Sequence, residues 1–214
     1  MLDAGGVFMS MTTTAEANMS STTRIPPIEV TGFFGWMVKR FSRKVLGQVP
    51  DAIGVMWHNK PVLKTMMGFG SKADKWDRLD PNLKSFSHMA VAAFVGCSWC
   101  LDYGYFQARN EGLALAKASQ VPRWRESRVF TSLERDVMEY AEAMSDTPPR
   151  VTDELSARLL EQLGTAALIQ LTAWVAFANM TTRSNIAMGI EAQGFSTSCS
   201  VPLAQRSTGY ATTA

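Results

Sequence analysis

The chain has 214 residues, of which 46% are hydrophobic, 19% charged and 10% aromatic. That balance suits one globular domain and excludes a disordered or fibrous chain. Twenty-one Lys and Arg against 19 Asp and Glu leave a formal charge of +2, far from the clustered excess with which a nucleic-acid binder neutralises phosphates. Three cysteines, Cys97, Cys100 and Cys199, are too few for a disulfide-stapled secreted scaffold. The first residues lack the basic and apolar regions of a signal peptide. The most apolar run, 166–180, carries Gln170, Thr172 and Asn179 and falls short of the roughly 20 residues that a membrane span needs. The expectation is a cytoplasmic protein with reduced thiols, no membrane span and no nucleic-acid partner.

Residues 1 to about 23 are rich in Ser, Thr, Ala and Met without an apolar periodicity, so a disordered lead is expected, because too little area is buried to offset chain entropy. Met9, Met11 and Met19 are alternative starts. Arg24-Ile-Pro-Pro-Ile-Glu reads as extended, since proline removes a donor and biases its predecessor away from helix. From about residue 32 the pattern is helical. Gly35 to Leu46 mixes Trp36, Met37, Phe41 and Val45 with Lys39, Arg40, Arg43 and Lys44, an amphipathic helix whose apolar side is expected to face the core or a second subunit. A membrane-surface role is the alternative. A helix from Pro50 to about Phe69 is interrupted near Pro61.

Asp80-Pro81 is a helix start, with Asp as cap and Pro at the first helical position. Gly96 is the expected stop, and a further helix runs from Cys97 toward Gly112. Thr131-Ser-Leu-Glu134 reads as a capping box, followed by the stripe Leu133, Val137, Tyr140, Ala141 and Met144. Pro148-Pro149 breaks that helix. Thr152 opens another, with Leu155, Leu159 and Leu163 on one face and Gly164 at its end. The last helix spans Thr165 to about Glu191 and, being apolar on most sides at first, is expected at the centre of the fold. Beyond Gln193 the chain is again rich in Ser and Thr and is expected to fray. The fold class is all-α, a compact bundle of six to eight helices.

Cys97-Ser98-Trp99-Cys100 stands just after a glycine at an expected helix N-terminus. Two cysteines three apart on one turn bring their sulfurs within disulfide reach, and the helix end offers free N–H groups and partial positive charge to a thiolate. Such a pair can turn peroxide into a sulfenic acid and resolve it to a disulfide, or exchange with other dithiols. Competing readings are two inert core cysteines and a zinc site, which needs about four ligands where only Cys97, Cys100, Cys199, His58 and His88 are on offer. Cys199 reads as an incidental thiol in a polar tail.

Leu79-Asp-Pro-Asn-Leu through Val95-Gly-Cys-Ser-Trp-Cys-Leu-Asp-Tyr-Gly, and later Asn179-Met-Thr-Thr-Arg183-Ser-Asn185-Ile-Ala-Met-Gly-Ile-Glu191, resemble the carboxymuconolactone decarboxylase-like superfamily in its AhpD-type alkylhydroperoxidase branch. A looser match reaches His58-Asn-Lys-Pro, so the resemblance covers roughly residues 45 to 194. It implies an AhpD-like helical domain over 29–195, between an N-terminal tail, 1–28, and a flexible C-terminal tail, 196–214. It also implies assembly into dimers, trimers or hexamers, with a thiol site near subunit contacts. In the AhpD-like pattern a glutamate twelve residues before the first cysteine and a histidine four after the second relay protons. Here those positions are Ser85 and Gly104, neither able to act as a base. The form is closer to the variant with an aromatic residue and an acid, here Trp99 and Asp102.

A proton must reach the leaving oxygen of a reduced peroxide. His88, three residues after Ser85 on nearly the same helix face, is the substitute to consider; a packed histidine bonded to a carbonyl is the other reading. Asp102 is either a relay or an acid favoured in a first helical turn. Tyr103 and Tyr105 are expected to pack around the thiols. The resemblance makes Cys100 the attacking and Cys97 the resolving cysteine, whereas a thioredoxin-style argument favours Cys97. Asn179, Arg183 and Asn185 form either a carboxylate site or a helix-end network with Glu191. The expected function is a cofactor-free hydroperoxide reductase or thiol-disulfide oxidoreductase, taking a hydroperoxide or disulfide substrate and an external thiol reductant, with catalytic residues Cys100, Cys97, His88 and Asp102. Alternatives are a carboxymuconolactone decarboxylase-type lyase without redox chemistry, in which a CxxC has no evident task, and a non-catalytic helical redox-sensing or oligomerisation module.

Overall fold

The computed structural model describes residues 23–205; the expected N-terminal lead up to residue 22 and the last residues from 206 lie outside that range. Among the described residues there is no strand, and eight α-helices of six residues or more are joined by a single-turn helix. In chain order they are α1 (Gly32–Leu46), α2 (Asp51–Met56), α3 (Lys60–Ala73), α4 (Pro81–Val95), α5 (Ser98–Asn110), the single turn α6 (Leu115–Ala118), α7 (Ser132–Ser145), α8 (Asp153–Leu163) and α9 (Thr165–Met188). Among the described residues, no helix is long and apolar enough to cross a membrane.

The punctuation read from sequence sets the boundaries. Asp80 accepts from the N–H groups of Asn82 and Leu83 at the start of α4. Thr131 and Glu134 close a reciprocal box at the start of α7, and Thr152 caps α8. Each such cap is worth roughly 1 kcal/mol, because it satisfies a donor that the helix cannot. The interruption expected near Pro61 is present: α2 ends at Met56, and Pro61 stands in the first turn of α3, where its missing N–H costs nothing.

The core is built around α4. Phe86, Met89, Ala90, Val91 and Ala92 are all fully buried, because α5, α7 and α9 pack on different sides of this helix. A helix enclosed in that way must be apolar nearly all round. The expected central helix, α9, contributes Leu171, Val175 and Ala178 to the same core, yet it leaves Ile169 65% exposed. The centre of the bundle is therefore α4, and α9 flanks it.

The second difference concerns α1. Its inward face is Gly35, Val38 and Ser42, while Phe33 and Phe41 are 80% and 66% exposed and Trp36 and Met37 also point outward. The cause is close approach: a Cβ on Gly35 would lie 3.0 Å from the Val30 carbonyl carbon and 3.1 Å from the Trp57 ring. No side chain fits at 35, so the inward face is completed by Val38, Ser42 and Phe34, which stacks on Trp57, while Phe33, Trp36, Met37 and Phe41 are left outside.

Contacts run past both ends of the 29–195 span. The Arg24 N–H donates to Met188 O at 2.9 Å, and its guanidinium donates to Ile186 O and Ala187 O at the end of α9. At the other end, the Ala204 N–H donates to Ser119 O.

Candidate functional site

Gly96 ends α4 with φ 88°, a left-handed conformation that glycine takes without steric cost. Both the Gly96 and Cys97 N–H groups then return to Ala92 O. This sharp reversal makes Cys97 the N-cap of α5. Its Sγ accepts from the Cys100 N–H at 3.2 Å, the bond that an oxygen-bearing cap would make. Cys97 and Cys100 are 5.3 Å apart at Cα and joined as a disulfide. Both are buried, at 1% and 2% exposure, among Ala92, Trp99, Leu101 and Ile186.

Asn185, one turn before the end of α9, donates from Nδ2 to Cys100 Sγ at 3.3 Å. Sequence reasoning grouped it with Asn179 and Arg183, but the structure divides that set. Arg183 and Asn179 tie α9 to Ser145 at the end of α7, and Asn185 alone reaches the sulfur. With 85 residues between the partners, no local signal could have linked them.

Asp102 is buried, at 5% exposure. Its Oδ2 accepts from the N–H groups of Gln193 at 3.1 Å and Phe195 at 3.0 Å, and Oδ1 accepts from Ser196 at 2.8 Å. The segment after α9 thus crosses the first turns of α5 as a strap. Ser98 Oγ accepts from the Ala192 N–H, and Gln193 Oε1 accepts from Trp99 Nε1 and the Asp51 N–H. Tyr103 stacks on Trp99, with Phe195 edge-on to both. Tyr105 is turned into the core, where its hydroxyl donates to Val201 O at 2.6 Å. Cys199, a free and half-buried thiol, packs at the core's edge, and burial raises its pKa.

One helical turn from Ala92 and from Cys100, His88 of α4 meets Gly104 of α5. A cleft of about 370 Å³ opens beside them, walled by Trp76, Leu79, Trp174, Ser85 and Gln107 and rimmed by Asp74, Asp77, Glu111, Lys75 and Lys84. Desolvation lowers the His88 pKa to about 4, so the ring is neutral at physiological pH and offers one donor and one acceptor. Lys84 donates to Ala73 O and Asp74 O and lies 4.3 Å above the Trp174 ring. Burial lowers its pKa, and the Asp74 and Glu111 carboxylates oppose that shift. Desolvation raises Asp74, against the pull of Lys84. His58 is engaged elsewhere, donating to Pro26 O at 3.0 Å. Among the described residues, no three His, Cys, Asp or Glu groups are arranged to hold a metal ion.

The family model described as "Carboxymuconolactone decarboxylase family" matches residues 60–143. The uncharacterized protein YnjA of Escherichia coli (strain K12) is 32% identical over 169 residues, spanning 78% of this chain and 88% of that relative. Among solved structures, the alkylhydroperoxidase AhpD core of an uncharacterized peroxidase-related protein from Ralstonia eutropha JMP134 aligns with a TM-score of 0.73 at 17% identity, over 85% of this chain and 98% of that one. A cysteine-to-alanine variant of the debrominase Bmp8, in complex with 2,3,4-tribromopyrrole, aligns with a TM-score of 0.70 at 19% identity, over 82% of this chain and 96% of that one. At these identities both structures speak to the fold alone.

Proposed function

This chain belongs to the carboxymuconolactone decarboxylase family, and on that premise we propose that it is a dithiol oxidoreductase which reduces hydroperoxides through Cys100 and Cys97. The observation that carries this reading is the pair itself: two cysteines on one helix N-terminus, close enough to be bonded, each sulfur receiving one N–H. Those donors and the helix end favour a thiolate over a thiol.

In the proposed cycle the Cys100 sulfur attacks the nearer peroxide oxygen, the O–O bond breaks, and Cys100 becomes a sulfenic acid while the alkoxide leaves. The proton lost from the thiol returns to the alkoxide through His88, whose neutral ring accepts at one nitrogen and donates from the other. Cys97 then attacks the sulfenic sulfur, expelling water and forming the disulfide. Two thiols and one ROOH give one disulfide, one ROH and one water. An external dithiol restores the pair by exchange. Asp102 is assigned a positioning role here, since its carboxylate is engaged by three backbone N–H groups. The outward stripe Phe33, Trp36, Met37 and Phe41 on α1 supports assembly as a homo-oligomer.

A second reading draws on the cleft, whose Trp76 and Trp174 walls suit a small flat ring. A reduced Cys97–Cys100 pair would supply two electrons to replace C–Br by C–H, releasing bromide and a proton and leaving the disulfide.

The test is thiol titration of the reduced protein after one equivalent of an organic hydroperoxide, on wild type, Cys97→Ser and Cys100→Ser. Rapid loss of two thiols in wild type is expected, with a trappable sulfenic acid in Cys97→Ser only. Thiols that survive as long as free cysteine would sink the peroxidase reading. Bromide release from a brominated pyrrole under the same conditions would favour the second.

A further inference from the structure

The interior of the cleft is short of ionic partners. Its inner wall is Leu79, Ser85, His88, Gly104, Gln107 and Trp174, none of them charged at neutral pH. The cation nearest that wall, Lys84, already serves two carbonyl oxygens and the Trp174 face. The rim carries three carboxylates, Asp74, Asp77 and Glu111, against Lys75 and Lys84. A ligand carboxylate placed inside would lie away from exposed Lys75, behind a rim where carboxylates outnumber cations and Lys84 is already engaged, and an unpaired buried charge is expensive.

Hydrogen-bonding capacity is present. Neither the Ser85 hydroxyl nor the His88 ring is hydrogen-bonded to another described residue, and both line the cavity. Gln107 uses its Nε2 on Glu111, which leaves its carbonyl oxygen for a donor. Trp76, Trp174, Leu79 and Pro81 supply the apolar wall. The volume lies at the small end of ligand pockets.

We propose that this cleft binds an uncharged small molecule, one ring or a short alkyl body bearing a hydroxyl, hydroperoxyl or N–H group, and excludes carboxylates. Taken as the substrate side of the Cys97–Cys100 centre, this rests on the dithiol reading; as a binding site it stands alone. The polar group of the ligand lies between Ser85 and His88, and its apolar body lies along Trp174.

The experiment uses the full chain in its disulfide form, which cannot turn over. With only two histidines in the sequence, the imidazole C2 protons give two NMR signals, and His58→Gln assigns them. The probes are 2-phenyl-2-propanol and its para-carboxylate analogue. The alcohol is expected to shift the His88 signal saturably and leave His58 unmoved, while the carboxylate binds at least about tenfold more weakly, a difference of roughly 1.4 kcal/mol. Ser85→Phe, which fills the cleft, should abolish the shift, and Ser85→Ala should keep binding within a few-fold. An unmoved His88 signal up to the solubility limit of the alcohol, or equal binding of the carboxylate, overturns the proposal. Because the wild-type titration decides alone, a misfolded Ser85→Phe protein does not rescue it. Binding without peroxide-driven thiol loss would retain the cleft and discard the hydroperoxide reading; thiol loss without binding would do the reverse.

Discussion

The imidazole of His88 lies in the space that a side chain at 104 would claim: a Cβ on Gly104 would stand 3.3 Å from His88 Nδ1 and 3.3 Å from Met89 Cγ. Gly104 is thus the counterpart of the histidine. One helix gives up its side chain where the other fills the gap, and the two positions should be energetically coupled. Gly104→His alone should overpack the α4–α5 contact and cost about 1–3 kcal/mol. In the background His88→Ala the same change should cost less, with a coupling of at least about 1 kcal/mol between the two sites. Denaturant unfolding of the four proteins of the cycle checks this, and additive effects would refute it.

Stability should fall in mild acid because of His88. Its folded pKa is about 4 against the ordinary 6.5 in the unfolded chain, so above pH 6.5 both states are neutral and the residue contributes nothing to pH dependence. Between pH 6.5 and 4 the unfolded state binds a proton that the folded state refuses, and stability is lost as pH falls. The loss should approach about 3 kcal/mol below pH 4. Unfolding of wild type and His88→Phe across that range should show the slope removed in the variant, with the His88 C2 proton titrating near pH 4.

Removing the Asn185 donor should weaken the Cys100 thiolate. Asn185→Ala takes away the N–H that reaches Cys100 Sγ at 3.3 Å, and hydrogen bonds to charged acceptors are worth about 1.5–3 kcal/mol. The oxidation rate at pH 7 should drop about tenfold and recover toward wild type as the pH rises past the thiol's ionisation. A rate that falls equally at every pH would mark a packing effect instead.

Asp102→Ala should release the strap. Three backbone N–H groups lose their acceptor, with an expected destabilisation of about 3 kcal/mol. Amide exchange at Gln193, Phe195 and Ser196 should accelerate well before that of α4. Asp102→Asn, which keeps an oxygen but brings donors against donors, should fall between wild type and Asp102→Ala.

What the sequence made legible was local. Asp80, Thr131 with Glu134, Thr152, Gly96 and Gly164 mark helix ends through bonds spanning two to four residues, and those marks hold. The single turn at Leu115–Ala118 was not visible, because four residues carry no periodicity. The outward turn of α1 was hidden for a different reason: hydrophobicity says that a side chain prefers burial, not that Val30 and Trp57 have left room for it. In the candidate site, the pairing of Cys97 and Cys100 was readable from spacing, whereas the approach of His88 to Gly104 across two helices was not. The partners of Asp102 and Cys100 lie some 85 to 94 residues away. Only folding brings the end of α9 and the strap onto the first turns of α5.

In the proposed dithiol cycle, the strap bears on which reductant could reach the disulfide. A sulfur that opens a disulfide must approach nearly in line with the S–S bond, and Cys97 and Cys100 are almost wholly enclosed. An oxidant the size of a peroxide group needs only a narrow channel, whereas a redox protein presents its thiol on a broad folded surface. In a dithiol cycle the two half-reactions therefore obey different size limits. If the proposed cycle draws electrons from a protein, that partner would have to displace residues 192–196, which Asp102 and Ser98 hold across the first turns of α5.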